Sequence, residues 1–388
     1  MIYINYYFIF IFFLLNILSN AKNNNTVKVK RVVHTPKFDV YNPFFNFNLT
    51  LALQDLFLGI LINTGAEKVT YMKQIKQWNG PIGVGINMLN EDIISSTSHC
   101  IYCNLKSVNN LNNRLAAYFF YKYSKIKNFQ SKVKKFFNNI DCKNKKTLYI
   151  ACKKSQLKIK NKSNSLLNYP QNAMKNKIKK LSQSSYTIFL EPGQYFSDFF
   201  ERKVRYLAEE HLTNNKKNVL IIRNFEILTS SKIRPNNKKV LEQLIKNDTA
   251  FEIDQNDFIV THQTPKLRQW FETNDSFIGS LQFEKSYDNI YWDPIVVLPK
   301  IAPPFDEEFP YPFDTDTQHK RELCRANFRF LVVNDVFVYQ YANTKLENKL
   351  HSNSNESLLL RQKMFIAQKK FNNRMNKLYP ETKNTCFT

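Results

Sequence analysis

Val219-Leu220-Ile221-Ile222 is an unbroken apolar run that stops at Arg223-Asn224-Phe225-Glu226. A run this short, closed by polar residues, reads as a strand buried on both faces, as in the interior of a parallel sheet. A helical pattern precedes it, with Phe200, Val204, Leu207, Ala208 and His211 on one face. Asn214-Asn215-Lys216-Lys217-Asn218 is the turn between the two. Helix, tight turn, buried strand and polar groups at the strand's carboxyl end form the local plan of an open α/β sheet, and ligands bind at that end. Asn224 and Glu226 are two apart, so in extended backbone their side chains leave one face and both can meet one cation or one phosphate. Arg223, between Ile222 and Asn224, should point to the other face. The same residues also read as a strand that simply ends in a polar turn.

A chain of 388 residues is long enough for one large α/β domain or two smaller ones. Its formal charge of +24 invites a nucleic-acid reading. Much of that excess, however, is Lys interleaved with Asn between Lys122 and Lys180, and no helix-turn-helix, zinc-finger or RNP pattern accompanies it. Only 7 glycines are present, and neither G-x-G-x-x-G nor a Walker loop occurs, so dinucleotide and P-loop readings have no support.

Ile2 to Leu18 is almost wholly apolar, and Ser19-Asn20-Ala21 offers a small-residue cleavage site. Residues 1–21 therefore read as a signal peptide or a short signal anchor. Lys22, Lys28, Lys30 and Arg31 follow the apolar run and no Lys or Arg precedes it, which favours cleavage over an anchor with its carboxyl end in the lumen. Six N-x-[ST] acceptors, at Asn24, Asn48, Asn161, Asn247, Asn274 and Asn355, agree with export. In an oxidising compartment the six cysteines (Cys100, Cys103, Cys142, Cys152, Cys324, Cys386) read as disulfides rather than a metal site, since no second pair at zinc spacing follows Cys100 and Cys103. Cys142 with Cys152 would close a short loop, although sequence does not give connectivity.

Residues 22–50 have little periodicity and read as a stem or linker, leaving 51–388 as the domain. Leu51 to Ile62 is apolar, Tyr71 to Trp78 reads as a short amphipathic helix, and Gly80-Pro81 turns the chain into a strand at Ile82. About 104–185, with its Lys/Asn runs and an aromatic patch at Tyr118 to Tyr121, reads as a long, partly ordered insertion. Regular texture returns at Tyr186 to Leu190. Val240 to Ile245 ends a helix, Phe258 to Thr261 is a short strand, and Ile290 to Leu298 is another. An acidic, proline-rich loop runs from Pro303 to Asp316, its five carboxylates set against a basic background. Thr317 to Arg325 is helical with Leu323 inward, and Phe330–Val333 and Val336–Tyr339 are strands either side of Asn334-Asp335. The tail places Leu360, Met364, Phe365, Phe371, Met375 and Leu378 at helical spacing, a face that packs on the domain.

Six places, in order, resemble family 49 of the glycosyltransferases, the LARGE and β-1,4-glucuronyltransferase group. Trp78-Asn79-Gly80-Pro81-Ile82 is similar to its W-x-G-P-I-S segment. Gly193-Gln194-Tyr195, with Arg202 and Val204, is similar to its G-Q-F-Y-P-x-N-x-x-R-N-x-A run. His262 and Trp270 fall on its H-x-x-T-x-x-x-x-W connector. Trp292-Asp293-Pro294 resembles its [WF]-E-P strand, and Phe305-Asp306-Glu307-Glu308-Phe309 its Y-D-x-x-F. Phe330 to Val333 with Phe337 to Gln340 resembles its paired strands ending in a metal-ligand histidine.

The resemblance implies a GT-A-like α/β fold, a mostly parallel central sheet with helices on both faces, and inverting transfer from a nucleotide sugar with Mn²⁺. It puts the D-x-D motif on Asn224-Phe225-Glu226, the metal histidine on Gln340, the donor-binding arginine on Arg202, and the G-F-G-W-N-K loop on Tyr311 to Asp316. The departures lie at the chemistry. With Asn224, Glu226 and Gln340 as ligands, one of two carboxylates and the imidazole are gone, so Mn²⁺ should be held weakly or not at all. The expected protein is a Golgi-lumenal or secreted transferase that takes a UDP-sugar and a glycan or glycoprotein acceptor, not nucleic acid. Membrane contact is confined to an uncleaved N-terminus. Asp293, Asp314 or Asp316 would be the base that deprotonates the acceptor hydroxyl. The alternative is an inactive glycan-binding or enzyme-partner protein on the same scaffold.

Overall fold

The computed structural model describes residues 38–43, 55–63, 68–109, 114–161, 169–214, 216–231, 233–253, 264–289, 292–311, 315–342 and 355–386. The chain divides into two units, 1–34 and 35–388, and the first lies wholly outside the described residues. So do the apolar segment 1–21, the expected strand Phe258–Thr261, His262 and Asp314. No helix among the described residues is long and apolar enough to cross a membrane.

The second unit is built on an eleven-stranded mixed sheet. Its strands are β1 (Phe38–Tyr41), β2 (Leu56–Asn63), β3 (Ile82–Asn87), β4 (Leu115–Lys122), β5 (Tyr186–Leu190), β6 (Gln194–Phe196), β7 (Asn218–Ile227), β8 (Ala250–Glu252), β9 (Leu281–Lys285), β10 (Ile295–Pro299) and β11 (Arg329–Tyr341). The order is β1-β4-β3-β2-β5-β10-β7-β11-β6, with β8 on β7 and β9 on β11. The long ladders β4-β3-β2-β5 and β7-β11 are parallel, and the antiparallel ladders pair only three or four residues each. By paired residues the sheet is mostly parallel, as expected.

Val219 to Ile222 is fully buried inside that sheet, between β10 and β11. One flank, Leu220 and Ile222, packs with Val204, Leu207 and Ala208 of helix α6 (Phe200–His211). The other, Val219 and Ile221, packs with Trp292, Phe305 and Leu323. Leu323 lies on helix α9 (Thr315–Arg325), so helices cover both faces and the strand has no polar side.

Two stretches differ from the sequence reading. Within 22–50, Phe38–Tyr41 is not linker but the edge strand β1, paired antiparallel with β4. Within 104–185, β4 is an interior strand, and Leu115 to Tyr121 are all buried. The aromatic patch is therefore core. A strand covered on both faces has no alternation to betray it, and its Lys/Asn neighbours are the wet faces of helices. Those helices are α3 (Phe129–Asn138), α4 (Lys145–Asn161) and α5 (Gln171–Ser182). With α1 (Lys68–Gln77) and α2 (Ser96–Asn109), they precede α6 in the chain.

The remaining elements fit their sequence patterns closely. Helix α7 (Lys238–Lys246) is capped by Asn237, whose side chain accepts from Val240 N. A short helix α8 (Leu267–Glu272) buries Trp270. The two expected strands about Asn334-Asp335 are one strand, β11, with a register shift between Val332 and Phe337. Asp335 fills that irregularity by accepting from Ser276 N at 2.5 Å and Ser280 Oγ at 2.7 Å, and also from Ser280 N. Helix α10 (Asn355–Leu378) packs through Leu360, Ala367, Phe371 and Met375, whereas Phe365 points outward.

The disulfides are Cys100–Cys152, Cys103–Cys142 and Cys324–Cys386. Cys142 and Cys152 are thus not bonded to each other. Cys100 and Cys103 lie one turn apart on α2 and take one partner each, so the two bridges staple α4 and the end of the α3–α4 connection to α2. A non-reduced proteolytic digest analysed by mass spectrometry is expected to contain these three cross-links; a Cys142–Cys152 peptide would contradict the arrangement.

Candidate active site

The carboxyl ends of β5 and β7 open into a cavity of about 210 Å³. Its wall carries Asn224 and Ile222 from β7, Glu191 just after β5, Asp293 and Pro294 before β10, Lys175 from α5, and Asp316, His319 and Lys320 from α9. This is the switch-point location at which open α/β sheets hold ligands.

Lys175 reaches the cavity because α5 lies close on the sheet. A Cβ on Gly83 would stand 2.4 Å from Phe57 Cζ and 3.2 Å from Ile178 Cγ2, and one on Gly85 would stand 2.6 Å from Ile178 Cδ1. Glycine at both positions is what admits the helix. The far side of α5 is tied to the 302–307 loop: Asn172 Nδ2 donates to Asp306 O at 2.7 Å, Asn176 Nδ2 to Phe305 O at 2.9 Å, and Lys179 Nζ to Ala302 O at 3.0 Å.

Two lysine–aspartate pairs dominate the electrostatics. Lys175 Nζ lies 2.5 Å from Asp316 Oδ1, and Lys320 Nζ sits on Asp293 Oδ1. Both lysine side chains are buried, at 4% and 6% exposure, whereas Asp316 is 41% exposed. Burial and the neighbouring Lys175 ammonium pull the Lys320 pKa well below the usual lysine range. Beside them, burial raises the Glu191 carboxyl despite Lys175 and a 2.8 Å bond from Gln171 Nε2. His319 stacks on Phe305 and donates Nε2–H to Pro303 O at 2.8 Å, and burial lowers its pKa to about 3. It is a neutral structural imidazole.

The residues at the end of β7 divide. Glu226 pairs with Gln340 across the β7–β11 ladder, and Asn224 lies two residues earlier on the same face, so the sheet gathers the three. Only Asn224 lines the cavity, and its Oδ1 is buried with no donor among the described residues. Glu226 is already engaged, and Gln340 Oε1 accepts from Gln194 Nε2 at 3.5 Å. Arg202 is elsewhere: its guanidinium lies 4.8 Å from the Phe199 ring and 4.5 Å from the Phe277 ring, outside the cavity wall.

Arg223 points to the opposite face, as alternation requires. It is fully buried and donates to Glu252 Oε1 at 2.9 Å, Thr264 O and Pro265 O at 2.6 Å each, and Gln282 Oε1 at 2.9 Å. Of the acidic loop, Asp306 is buried on Arg374, Glu307 accepts from Asn176 Nδ2 at 2.8 Å, and Glu308 meets Lys370 at 2.9 Å. These three carboxylates hold the loop and α10 in place.

A family model described as a glycosyltransferase for dystroglycan matches residues 64–380. The chain belongs to glycosyltransferase family 49. No curated protein sequence matches it. Among solved structures it is similar to residues 1–349 of S. aureus TarS in complex with UDP, at 11% identity and a TM-score of 0.38, covering 85% of this chain and 73% of that one. It is also similar to GalNAc-T7 with UDP, GalNAc and Mn²⁺, at 7% identity and a TM-score of 0.43, and spans about half of that chain (51%).

The family's tryptophans are framework in this member. Trp78 packs on Phe196 and Phe200 and donates to Pro81 O at 3.2 Å; Trp270 donates to Val333 O at 3.3 Å; Trp292 donates to Thr264 Oγ1 at 3.1 Å. The donor set at the end of β7 does not fit the Mn²⁺ that the family resemblance implies. It offers one engaged carboxylate and two amides, and no three His, Cys, Asp or Glu side chains are grouped among the described residues. Lys175 and Lys320 escaped the sequence reading, the first because it sits in the Lys/Asn-rich stretch and the second because a lysine on a polar helix reads as solvated.

Proposed function

We propose that this member transfers, or once transferred, a sugar from a nucleotide sugar to a glycan acceptor in the secretory pathway, with inversion, and that its donor site no longer depends on a D-x-D metal. The observation that carries this reading is the cavity itself. At the switch point of a family 49 domain, it joins an unpartnered Asn224 amide oxygen to carboxylates and cations on one wall. An inverting transfer needs one positioned base and stabilisation of the departing diphosphate. Asp293 and Asp316 line the wall as candidates for the base, and Asp314 keeps that assignment from sequence. Three disulfides suit an oxidising lumen, Golgi or extracellular.

One observation favours the second reading, an inactive glycan-binding or enzyme-partner protein on the same scaffold. Both described candidate bases are held in lysine ion pairs, which opposes proton abstraction. Titration of the protein with a panel of UDP-sugars, with and without Mn²⁺, followed by product analysis with glycan acceptors, separates the two. Binding with inverted product supports the enzyme; no product with any donor and acceptor supports the second reading, and no binding to any member of the panel overturns the transferase reading.

A further inference from the structure

Two buried ammonium groups near each other are an expensive arrangement, and ion pairing does not by itself repay it, since buried lysine–carboxylate pairs contribute little net stability. Here Lys175 and Lys320 come from helices α5 and α9, packed from different parts of the chain, and meet at one cavity wall. Both line the same cavity, and the Asp293 carboxylate in direct contact with Lys320 favours its charged form against burial and the Lys175 charge. The groups facing them are Asp316 and Asp293, with Glu191 beside Lys175 and His319 also on the cavity wall. The pairs are unequal in a way that matters. Asp316 is 41% exposed and can turn to water, which would leave Lys175 unpaired inside the cavity, whereas Asp293 is 14% exposed and is held in.

We propose that Lys175 and Lys320 are the cation pair that receives the donor's diphosphate, in place of the metal that Asn224, Glu226 and Gln340 fit poorly. The inference rests on the donor-binding reading of this cavity. An incoming diphosphate exchanges with Asp316 for Lys175 and lies between the two ammonium groups, each a point-charge donor to phosphate oxygens. Both cations, their side chains buried, are then pre-positioned to act on the developing charge of the leaving group. The ring faces of Phe305 and Phe189, 5.1 and 5.9 Å from Lys175 Nζ, hold that ammonium in place after the exchange.

The test is calorimetric titration of the full chain with UDP and with uridine, each in EDTA and each with Mn²⁺. UDP is expected to bind in EDTA at least about tenfold more tightly than uridine, the range for hydrogen bonds between charged groups. Lys175→Gln and Lys320→Gln should each remove roughly that factor for UDP and leave uridine unchanged. Asp316→Asn, which frees Lys175, should tighten UDP. Thermal melts report whether Lys320→Gln still folds; if it does not, Lys175→Gln and the exposed Asp316→Asn decide the question between them. UDP binding that requires Mn²⁺ and ignores both lysines would overturn the inference and leave the donor-binding reading standing. Failure of UDP and of every UDP-sugar to bind in either condition would overturn both.

Discussion

Asn224→Asp, Glu226→Asp and Gln340→His, made together, are expected to create a Mn²⁺ site where the natural sequence has at best a weak one. The ladder already brings the three positions together, with Glu226 opposite Gln340 and Asn224 on the same face. The changes add a carboxylate, shorten another and supply an imidazole nitrogen, all within one coordination sphere. Each restored ligand should add on the order of tenfold in affinity, about 1.4 kcal/mol. The triple change should exceed the sum of the single ones, because ligands on one ion are coupled. Calorimetry with Mn²⁺ measures this directly. No gain would mean the three side chains do not converge, and the family correspondence would fail at the site. A gain accompanied by turnover of a UDP-sugar would show that the metal was the missing part. A gain without turnover would point to the Tyr311–Asp316 loop, which has lost its glycines, as the remaining defect.

Arg223→Met is expected to destabilise the fold by about 3–5 kcal/mol, the cost of breaking a buried ion pair by removing one partner. Arg223 is fully buried and donates to four acceptors, including the two carbonyls of Thr264 and Pro265. Its loss strands Glu252, the carbonyls and Gln282 together. Arg223→Met with Glu252→Leu should recover much of the loss, since replacing both partners by apolar groups is often nearly neutral. Urea denaturation of the single and double variants measures both. A single-variant loss under about 1 kcal/mol would show the pair to be incidental.

The same pair sets a pH dependence. Burial pushes the Glu252 carboxyl up from 4.5 to about 7, with Arg223 opposing. The folded chain thus holds this proton more tightly than the unfolded one. The stability it contributes is complete below pH 4.5 and is lost as pH rises towards about 7. Glu252→Gln should flatten that part of the denaturation profile; an unchanged slope would assign it to other groups.

Much of the scaffold was legible in the chain. The apolar run at Val219, the amphipathic face of Phe200 to Ala208, the inward Leu323 and the buried face of the last helix are all local patterns. Each element must bury its own side, so its own residues carry the mark. The face taken by Arg223 followed from alternation alone. Where the pattern carried no such mark, the reading failed: β4 is buried on both faces and so lacks a period, and the lysines around it belong to wet helix faces. The disulfide pairing was equally out of reach, because Cys100 and Cys103 choose their partners by how α4 docks on α2.

At the site, spacing by itself fixed Asn224 and Glu226 on one face at the carboxyl end of β7, and the family resemblance added Gln340. The sequence also determined that this set was poor in charge. Tertiary structure alone decided which side chains face the cavity. Lys175 and Asp316 lie 141 residues apart, and their meeting depends on α5 seating over Gly83 and Gly85 and on α9 packing against the far flank of β7. Arg202, named by the resemblance, lies by the Phe199 and Phe277 rings and is not part of the cavity wall. Local chemistry is written in spacing, but a charge pair between distant helices is set by how closely two surfaces can approach, and that is a property of the folded core.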